Sequence, residues 1–206
     1  MPTARDALLD AAYTALSGRA WAAVRMVDVA AAAGVSRQTL YNEFGSKDGL
    51  ARALVRRETD AYLAGVERAL GSARSPVDRL AAAAEWTVRA ARVNPLVHAA
   101  LTGCWGPRLP GPGTGPVRSR SSIPAQRRAD AGLPSPAELL LQVRDRAVAA
   151  TVNGAAPREV AAQYARTCET AVRLALSCVL APAPPAGADE GAARLVREAL
   201  TRTRVF

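Results

Sequence analysis

The chain has 206 residues, half of them hydrophobic by type, which is enough for a substantial core and for one large or two small domains. Its 27 basic and 18 acidic side chains give a net charge of +9, compatible with a polyanionic partner, although residues 1–50 hold five of each sign. A single histidine excludes a histidine-rich metal site, and no run of about eighteen apolar residues predicts a membrane span. Three cysteines without zinc or disulfide spacing, and the lack of a signal peptide, predict a cytoplasmic location.

The abundance of alanine and the lack of β alternation predict an all-α fold. The first helix is predicted over residues 3–17, where apolar side chains recur at helical spacing. That buried stripe consists of Leu8, Leu9, Ala12, Tyr13 and Leu16. Trp21 follows the helix and is expected to fill a small N-terminal core rather than to contact a partner.

The stretch at residues 27–50, VDVAAAAGVSRQTLYNEFGSKDGL, predicts a helix-turn-helix. Gly34 can adopt the positive φ of a tight turn, and Ser36 is placed to cap a second helix over Arg37–Phe44. Gly45 ends this helix, and the next one begins directly after it. The apolar side of the first helix is expected to carry Val27, Val29 and Ala30.

The second helix of this motif carries side chains that can read base edges. Arginine can bridge guanine O6 and N7, asparagine and glutamine can bridge adenine N6 and N7, and threonine can contact a thymine methyl. The residues of this kind are Arg37, Gln38, Thr39 and Asn42. Tyr41 and Lys47, the one lysine of the chain, suit phosphate oxygens, whose contacts set register rather than sequence.

The segment GVSRQTLYNEFGSKDGL resembles the TetR family of bacterial transcriptional repressors, and the resemblance covers roughly residues 3–70. Arg25 departs from the family pattern, in which threonine or serine caps the helix, so we expect its phosphate contact to differ. Asn42-Glu43 stands where histidine or tyrosine followed by an aromatic residue is usual, and Glu43 is expected to place a carboxylate near the DNA side. The candidate DNA-binding residues are Arg25, Ser36, Arg37, Gln38, Thr39, Tyr41, Asn42 and Lys47.

The third helix of the motif is predicted to continue from Lys47 to about Leu70 and to join the DNA-binding head to the body. Its inward residues are predicted to be Leu50, Leu54, Ala61 and Gly65. The arginines expected to reach solvent are Arg52, Arg56, Arg57 and Arg68.

Proline and glycine positions divide the rest of the chain into further helices. Their predicted ranges are Val77–Val93, Leu96–Gly103, Ala125–Ala131, Pro136–Ala150 and Pro157–Leu180, followed by a last helix capped by Asp189 that turns Leu195, Val196, Ala199 and Leu200 inward. Residues 106–124, rich in glycine, proline and serine, predict a long basic surface loop, with a second nucleic-acid contact as the alternative.

The resemblance implies that the chain is a homodimeric repressor that binds a palindromic double-stranded operator and is released by a small, largely apolar effector. It implies a helix-turn-helix domain at 1–46, a connecting helix at 47–70 and a helical ligand-binding and dimerisation domain at 71–206. The candidate ligand-binding residues are Trp86, His98, Leu101, Trp105, Gln142 and Tyr164. The candidate dimer interface is the pair of stripes at 139–150 and 160–179, which include Val160, Ala171 and Ala175.

No catalytic residue, metal site, cofactor or membrane partner is expected. Two alternatives stay open: a DNA-binding regulator without ligand control, and a helical enzyme that carries a hairpin resembling a helix-turn-helix. The lack of a catalytic constellation argues against the enzyme. A constitutive architectural DNA binder would carry a strongly basic head, and the first 50 residues are neutral overall.

Overall fold

The computed structural model describes residues 3–111, 133–151, 158–182 and 188–202. Within these ranges the chain is all-helical, as predicted, and contains no strand. The helices are α1 (Ala4–Gly18), α2 (Met26–Ala32), α3 (Arg37–Phe44), α4 (Lys47–Gly71), α5 (Pro76–Val93), α6 (Pro95–Thr102), α7 (Pro136–Thr151), α8 (Arg158–Leu180) and α9 (Ala188–Arg202), with a 3-10 turn at Trp21–Ala23. The predicted helix at Ala125–Ala131, most of the predicted loop at 106–124, and Pro157 lie outside the described residues. No helix in the described ranges is long and apolar enough to cross a bilayer.

Side-chain caps explain why several helices begin where they do. Thr3 precedes α1, and its hydroxyl accepts a hydrogen bond from the backbone N–H of Asp6, whose carboxylate accepts one in return from the backbone N–H of Thr3. Ser75 caps α5 in the same position, just before a proline at the first helical residue. The last helix differs from the prediction: it begins at Ala188, so Asp189 lies inside its first turn. Acidic residues are favourable both at the N-cap and in the first turn of a helix, because both positions lie at the positive end of the helix dipole.

The chain forms two compact units, and the first sequence boundary between them falls after Glu58 in α4. The first unit draws on the described residues of Met1–Glu58 and Trp105–Leu133. Its core is formed by apolar side chains from α1, the 3-10 turn and the first half of α4, together with α2 and α3. The fully buried members include Leu8, Ala12, Val29, Ala30, Leu40, Phe44, Leu50 and Leu54, and Trp21 is buried as predicted.

The second unit draws on the described residues of Thr59–Cys104 and Pro134–Phe206. In this unit α5 packs against α8 and α9, and α7 packs against α8. Tyr62 of α4 is 2% exposed, and its hydroxyl lies 3.0 Å from the hydroxyl of Thr87 on α5. Thr87 in turn donates to the carbonyl of Ala83 at 2.8 Å, so this buried polar pair is satisfied within the helix bundle.

Trp86 of α5 is held against the second half of α4. Its indole Nε1–H donates to the backbone carbonyl of Tyr62 at 3.0 Å. A Cβ atom at Gly65 would lie only 2.1 Å from the indole ring, so glycine is the residue that lets the two helices come this close. The ring therefore serves as a packing element between α4 and α5.

Four side chains lie on a different side from the one predicted. Arg52 is buried rather than exposed, Ala61 is exposed rather than buried, and Val27 and Leu195 are each more than a third exposed. In the second half of α4 the buried stripe is Thr59, Tyr62, Leu63, Val66 and Leu70. Ala61 lies three turns after Leu50 on the same line of the helix, but the buried face of α4 lies on another side in its second half, which belongs to the second unit.

Ala171 and Ala175 of α8 lie in the core of a single protomer, at 2% and 1% exposed. They line a cavity of about 10 Å³ between α5, α7 and α8, together with Leu80, Ala83, Ala84, Thr87, Val143, Ala147 and Val172. These two residues are therefore corrected as interface residues, since side chains that are already buried against their own helices are not available to a second copy. A void of this size has room for one water molecule.

Candidate nucleic-acid interface

The turn between α2 and α3 has the geometry that the sequence predicts. Gly34 adopts a φ of +67°, a left-handed conformation that disfavours a Cβ atom. The backbone N–H of Val35 then donates to the carbonyl of Ala30 at 3.1 Å, which closes the end of α2. Ser36 follows in an extended conformation, and its hydroxyl accepts the N–H of Thr39 at 3.0 Å, which caps α3.

One face of α3 anchors the helix to the core. Leu40 and Phe44, one turn apart, are 0% and 1% exposed. The other side chains of the helix are exposed or half-buried. Burial at this spacing fixes the rotation of the helix, so the opposite face is presented outward.

The outward face carries the candidate base-reading groups. Arg37, Gln38 and Asn42 are exposed, and Gln38 Nε2 donates to Asn42 Oδ1 at 2.8 Å. The two amides are one helical turn apart and hold each other in place, which leaves donors and acceptors on their outer sides. Thr39 is half-buried, and its hydroxyl lies 2.8 Å from that of Ser36 at the start of the helix. Gln38 and Asn42 thus lie on the side opposite Leu40 and Phe44, whereas Ser36, Arg37 and Thr39 lie at the start of the helix.

Arg25 occupies the N-cap position of α2 but makes no capping hydrogen bond with its side chain. Its guanidinium instead binds Asp28 of the same helix through two contacts, Nε to Oδ2 at 3.0 Å and Nη2 to Oδ1 at 2.9 Å. Arg19 approaches the same carboxylate at 3.4 Å. These bonds, chiefly the one from Arg25, hold the pKa of Asp28 below its ordinary value. Arg25 remains 74% exposed in its side chain, so one edge faces solvent.

Lys47, at the first position of α4, is tied to the 3-10 turn. Its Nζ donates to the carbonyl of Ala22 at 3.0 Å and lies 5.6 Å from the centre of the Trp21 ring. An ammonium group has three donors, so further bonds can be directed outward. Tyr41 is 42% exposed on α3. The assignment of these two residues to phosphate stays a prediction.

Glu43 is paired with an arginine of another helix, and its location near the DNA side stays a prediction. Its Oε2 lies 3.4 Å from Nη1 of Arg5 on α1, and about a third of each side chain is exposed. The Arg5 guanidinium also lies 4.7 Å from the centre of the Phe44 ring. Glu43 directly precedes Phe44 in α3. The Arg5 side chain of α1 therefore contacts both residues, as an ion pair with Glu43 and over the ring of Phe44.

The six candidate ligand-binding residues are divided between the two units. Trp105 belongs to the first unit, and the other five belong to the second. Leu101 is buried, whereas the remaining residues, Trp86, His98, Gln142 and Tyr164, are half-buried. None of the six lines the cavity between α5, α7 and α8, although Trp86, Gln142 and Tyr164 lie on those same helices. Their role in ligand binding stays a prediction.

Comparison with known proteins identifies the N-terminal part of the chain. Residues 8–54 match the family model described as bacterial regulatory proteins, tetR family. The HTH-type transcriptional regulator AlkX of Mycobacterium tuberculosis is 48% identical over 66 residues, which cover 32% of this chain and 31% of that relative. An uncharacterised HTH-type transcriptional regulator of the same species is 36% identical over 99 residues, covering 48% of this chain and 49% of the relative. The chain therefore spans about a third to a half of the curated relatives it matches.

Solved structures are similar over nearly the whole chain. The TetR family repressor AlkX from Dietzia sp. strain DQ12-45-1b, implicated in biodegradation of n-alkanes, gives a TM-score of 0.54 at 22% identity and covers 96% of this chain and 95% of that one. A TetR-like transcriptional regulator from Rhodococcus sp. RHA1 gives 0.52 at 19% identity, with 98% and 97% covered. At these identities the likeness supports the fold. The family match at residues 8–54 shows that the helix-turn-helix part of the chain is similar to that of bacterial regulatory proteins of the tetR family.

Proposed function

We propose that this protein is a repressor that binds a palindromic operator as a homodimer and is released by a small-molecule effector. The single observation that carries the DNA-binding part is the geometry of α3. The helix is anchored on one side by Leu40 and Phe44 and presents Gln38 and Asn42 on the other, while Arg37 is exposed at its first residue. These are the side chains that make bidentate contacts with guanine and adenine in the major groove.

Homodimerisation supplies the selectivity that one helix lacks. A single recognition helix covers too few base pairs, and paired helices read two half-sites about one helical turn apart. Because Ala171 and Ala175 of α8 are buried in the protomer, we place the interface on the outward faces of α7 and α8. Leu141 on α7 and Leu180 on α8 are exposed there, at 41% and 64%. A second copy that covered these faces would remove both apolar side chains from water.

The effector is proposed to bind in the second unit, between α5, α7 and α8. The cavity there is lined almost entirely by apolar side chains, and Thr87 supplies one hydroxyl. A ligand larger than one water molecule fits only when these helices move apart. It therefore binds the separated arrangement of the helices better than the closed one and shifts the population toward it. An aliphatic compound suits this lining, and the Dietzia relative, described as implicated in n-alkane biodegradation, makes alkanes and their oxidised products the first compounds to test.

The small volume of the cavity, about 10 Å³, is also the observation that favours the alternative of a DNA-binding regulator without ligand control. One experiment separates the two. Duplexes are selected from a randomised pool with the purified full chain, and the enriched sequence is bound again in the presence of each compound. A palindromic enriched site supports the dimeric operator, and loss of binding with one compound supports the effector. A pool in which no sequence is enriched would overturn the proposal. An enriched sequence from which no compound releases the protein would support a DNA-binding regulator without ligand control.

A further inference from the structure

A chain segment outside the helix-turn-helix lies against it. Residues 105–111, which follow α6, belong to the same compact unit as the DNA-binding helices. The backbone N–H of Trp21 donates to the carbonyl of Arg108 at 2.8 Å, and the N–H of Leu109 donates to the carbonyl of Gly106 at 3.0 Å. Pro110 is buried. The backbone of Arg108 is therefore fixed beside the 3-10 turn by a bond that does not involve its side chain.

The same turn holds Lys47. The Arg108 carbonyl binds Trp21, and the Lys47 ammonium binds the carbonyl of Ala22, the next residue. Consecutive Cα atoms are about 3.8 Å apart, so the two basic residues are attached to neighbouring points of one short turn. Lys47 is the candidate phosphate contact at the start of α4, and the backbone of Arg108 is bonded to the same turn.

The charge around this turn is positive. Arg19 and Arg25 flank it in the sequence and Lys47 and Arg108 bind it, while Asp28 and Asp48 are the carboxylates nearest in sequence to Arg25 and Lys47. Asp28 is already shared by Arg19 and Arg25. The Arg108 side chain is exposed, and in the part of the chain that the structure describes no carboxylate pairs with it. Its guanidinium is thus available to an anion from outside.

We propose that Arg108 binds a phosphate of the DNA backbone beside the one held by Lys47, so that the connection after α6 adds a contact to the helix-turn-helix. This inference rests on the proposed binding of double-stranded DNA. A guanidinium can bind two phosphate oxygens at once, which suits a residue whose backbone is fixed. The contact carries no base information, and it strengthens binding to every sequence alike.

The test measures the salt dependence of binding to a labelled duplex of arbitrary sequence of about 30 base pairs, long enough for two half-sites. The full chain is compared with Arg108→Ala, with Arg108→Lys and with Lys47→Ala. The control is Arg194→Ala on α9 in the second unit, where the side chain is 79% exposed. Each lost phosphate contact lowers the slope of log K against log salt by about 0.9 per DNA-bound protomer.

We expect Arg108→Ala to weaken binding several-fold at low salt. The plot of log K against log salt should become less steep by as much as it does in Lys47→Ala. Arg108→Lys should keep the slope of the unchanged chain, and Arg194→Ala should change nothing. If Lys47→Ala lowers the slope and Arg108→Ala does not, the inference about Arg108 is overturned while the proposed function stands. If the unchanged chain binds no duplex, the proposed function is overturned and this inference with it. Equal thermal unfolding of all variants shows that the folds are intact.

Discussion

The carboxylate of Glu43 on α3 lies 3.4 Å from the guanidinium of Arg5 on α1, so the acidic residue of the recognition helix is neutralised by another helix of the same unit. Arg5 is held in that position from a second side, because it also lies over the ring of Phe44. An unpaired carboxylate at this place would repel phosphates. The ion pair therefore explains how the helix tolerates a glutamate so close to the candidate base-reading side chains.

Loss of Arg5 should weaken DNA binding, because the unpaired carboxylate of Glu43 would then repel phosphates. We expect Arg5→Ala to reduce affinity for any duplex by about two- to fivefold, since ion pairs of this exposure contribute up to about 1 kcal/mol. The double variant Arg5→Ala with Glu43→Gln should regain most of that affinity, because the uncompensated charge is gone. Fluorescence anisotropy at two salt concentrations measures both. A double variant as weak as the single one would mean that Arg5 contacts DNA itself.

The base-reading prediction concerns Arg37 and the amide pair of Gln38 and Asn42. Replacing Arg37 or Gln38 with alanine should cost about 1–3 kcal/mol at the selected operator and should relax base preference at one position of each half-site. Because Gln38 holds Asn42 at 2.8 Å, the effects of Gln38→Ala and Asn42→Ala should be non-additive. Selection from randomised half-sites measures the preference. Unchanged selectivity in all three variants would exclude this face of α3 as the reading surface.

The helix-turn-helix could be predicted from the sequence because its signals are local. Gly34, Ser36 and the spacing of Leu40 and Phe44 act within one or two turns of chain, and the structure has each of them where the pattern indicates. The partner of Glu43 could not be predicted in the same way. Arg5 is 38 residues away, and only the packing of α1 against α3 brings the two charges together.

The second unit shows where periodicity alone fails. An apolar stripe at helical spacing identifies a buried face without telling whether its neighbour is another helix of the protomer or a second copy. Ala171 and Ala175 fit either interpretation, and the structure places them in the protomer core. The location of Arg108 beside Trp21 is likewise a tertiary property, since proline and glycine in the connecting segment predict only a loop.

The buried hydroxyl of Tyr62 predicts a loss of stability in base. Burial raises the pKa of this phenol to about 12, against an ordinary value of 10.0, while the bond to Thr87 opposes the rise. The folded protein therefore binds this proton more tightly than the unfolded chain. Its contribution is complete below pH 10 and is lost as the pH rises from about 10 to 12, which amounts to roughly 2–3 kcal/mol.

Tyr62→Phe isolates that contribution. At pH 8 the variant should be less stable by about 1 kcal/mol, the usual worth of one buried hydrogen bond. Between pH 8 and 11 its free energy of unfolding should fall less than that of the unchanged chain, because the titrating group is gone. Urea denaturation followed by circular dichroism gives both values. Parallel pH profiles for the two proteins would show that Tyr62 does not titrate in this range.

The outward faces of α7 and α8 are the predicted dimer interface. Leu141→Glu or Leu180→Glu should put an unpaired charge into that contact and convert dimers to monomers with little change in protomer stability, because both side chains are exposed. Leu195→Glu on α9, a site that is 38% exposed, is the matched control and should remain dimeric. Light scattering coupled to size exclusion reports the mass. Dimers in both test variants would place the interface on another surface.

The effector site is tested by filling its cavity. Ala147 of α7 is 1% exposed and lines the cavity between α5, α7 and α8, whereas Ala149, two residues later, is exposed. Ala147→Val adds two methyl groups where a ligand would enter, at a cost of about 1–3 kcal/mol in stability. We expect this variant to bind the operator normally and to resist release by the active compound. Ala149→Val, the same change on the same helix, should respond like the unchanged chain. Operator binding titrated with the compound measures release for each protein. Full response in Ala147→Val, with its fold confirmed by thermal unfolding, would move the effector away from this cavity and toward the side chains of Trp86, Gln142 and Tyr164.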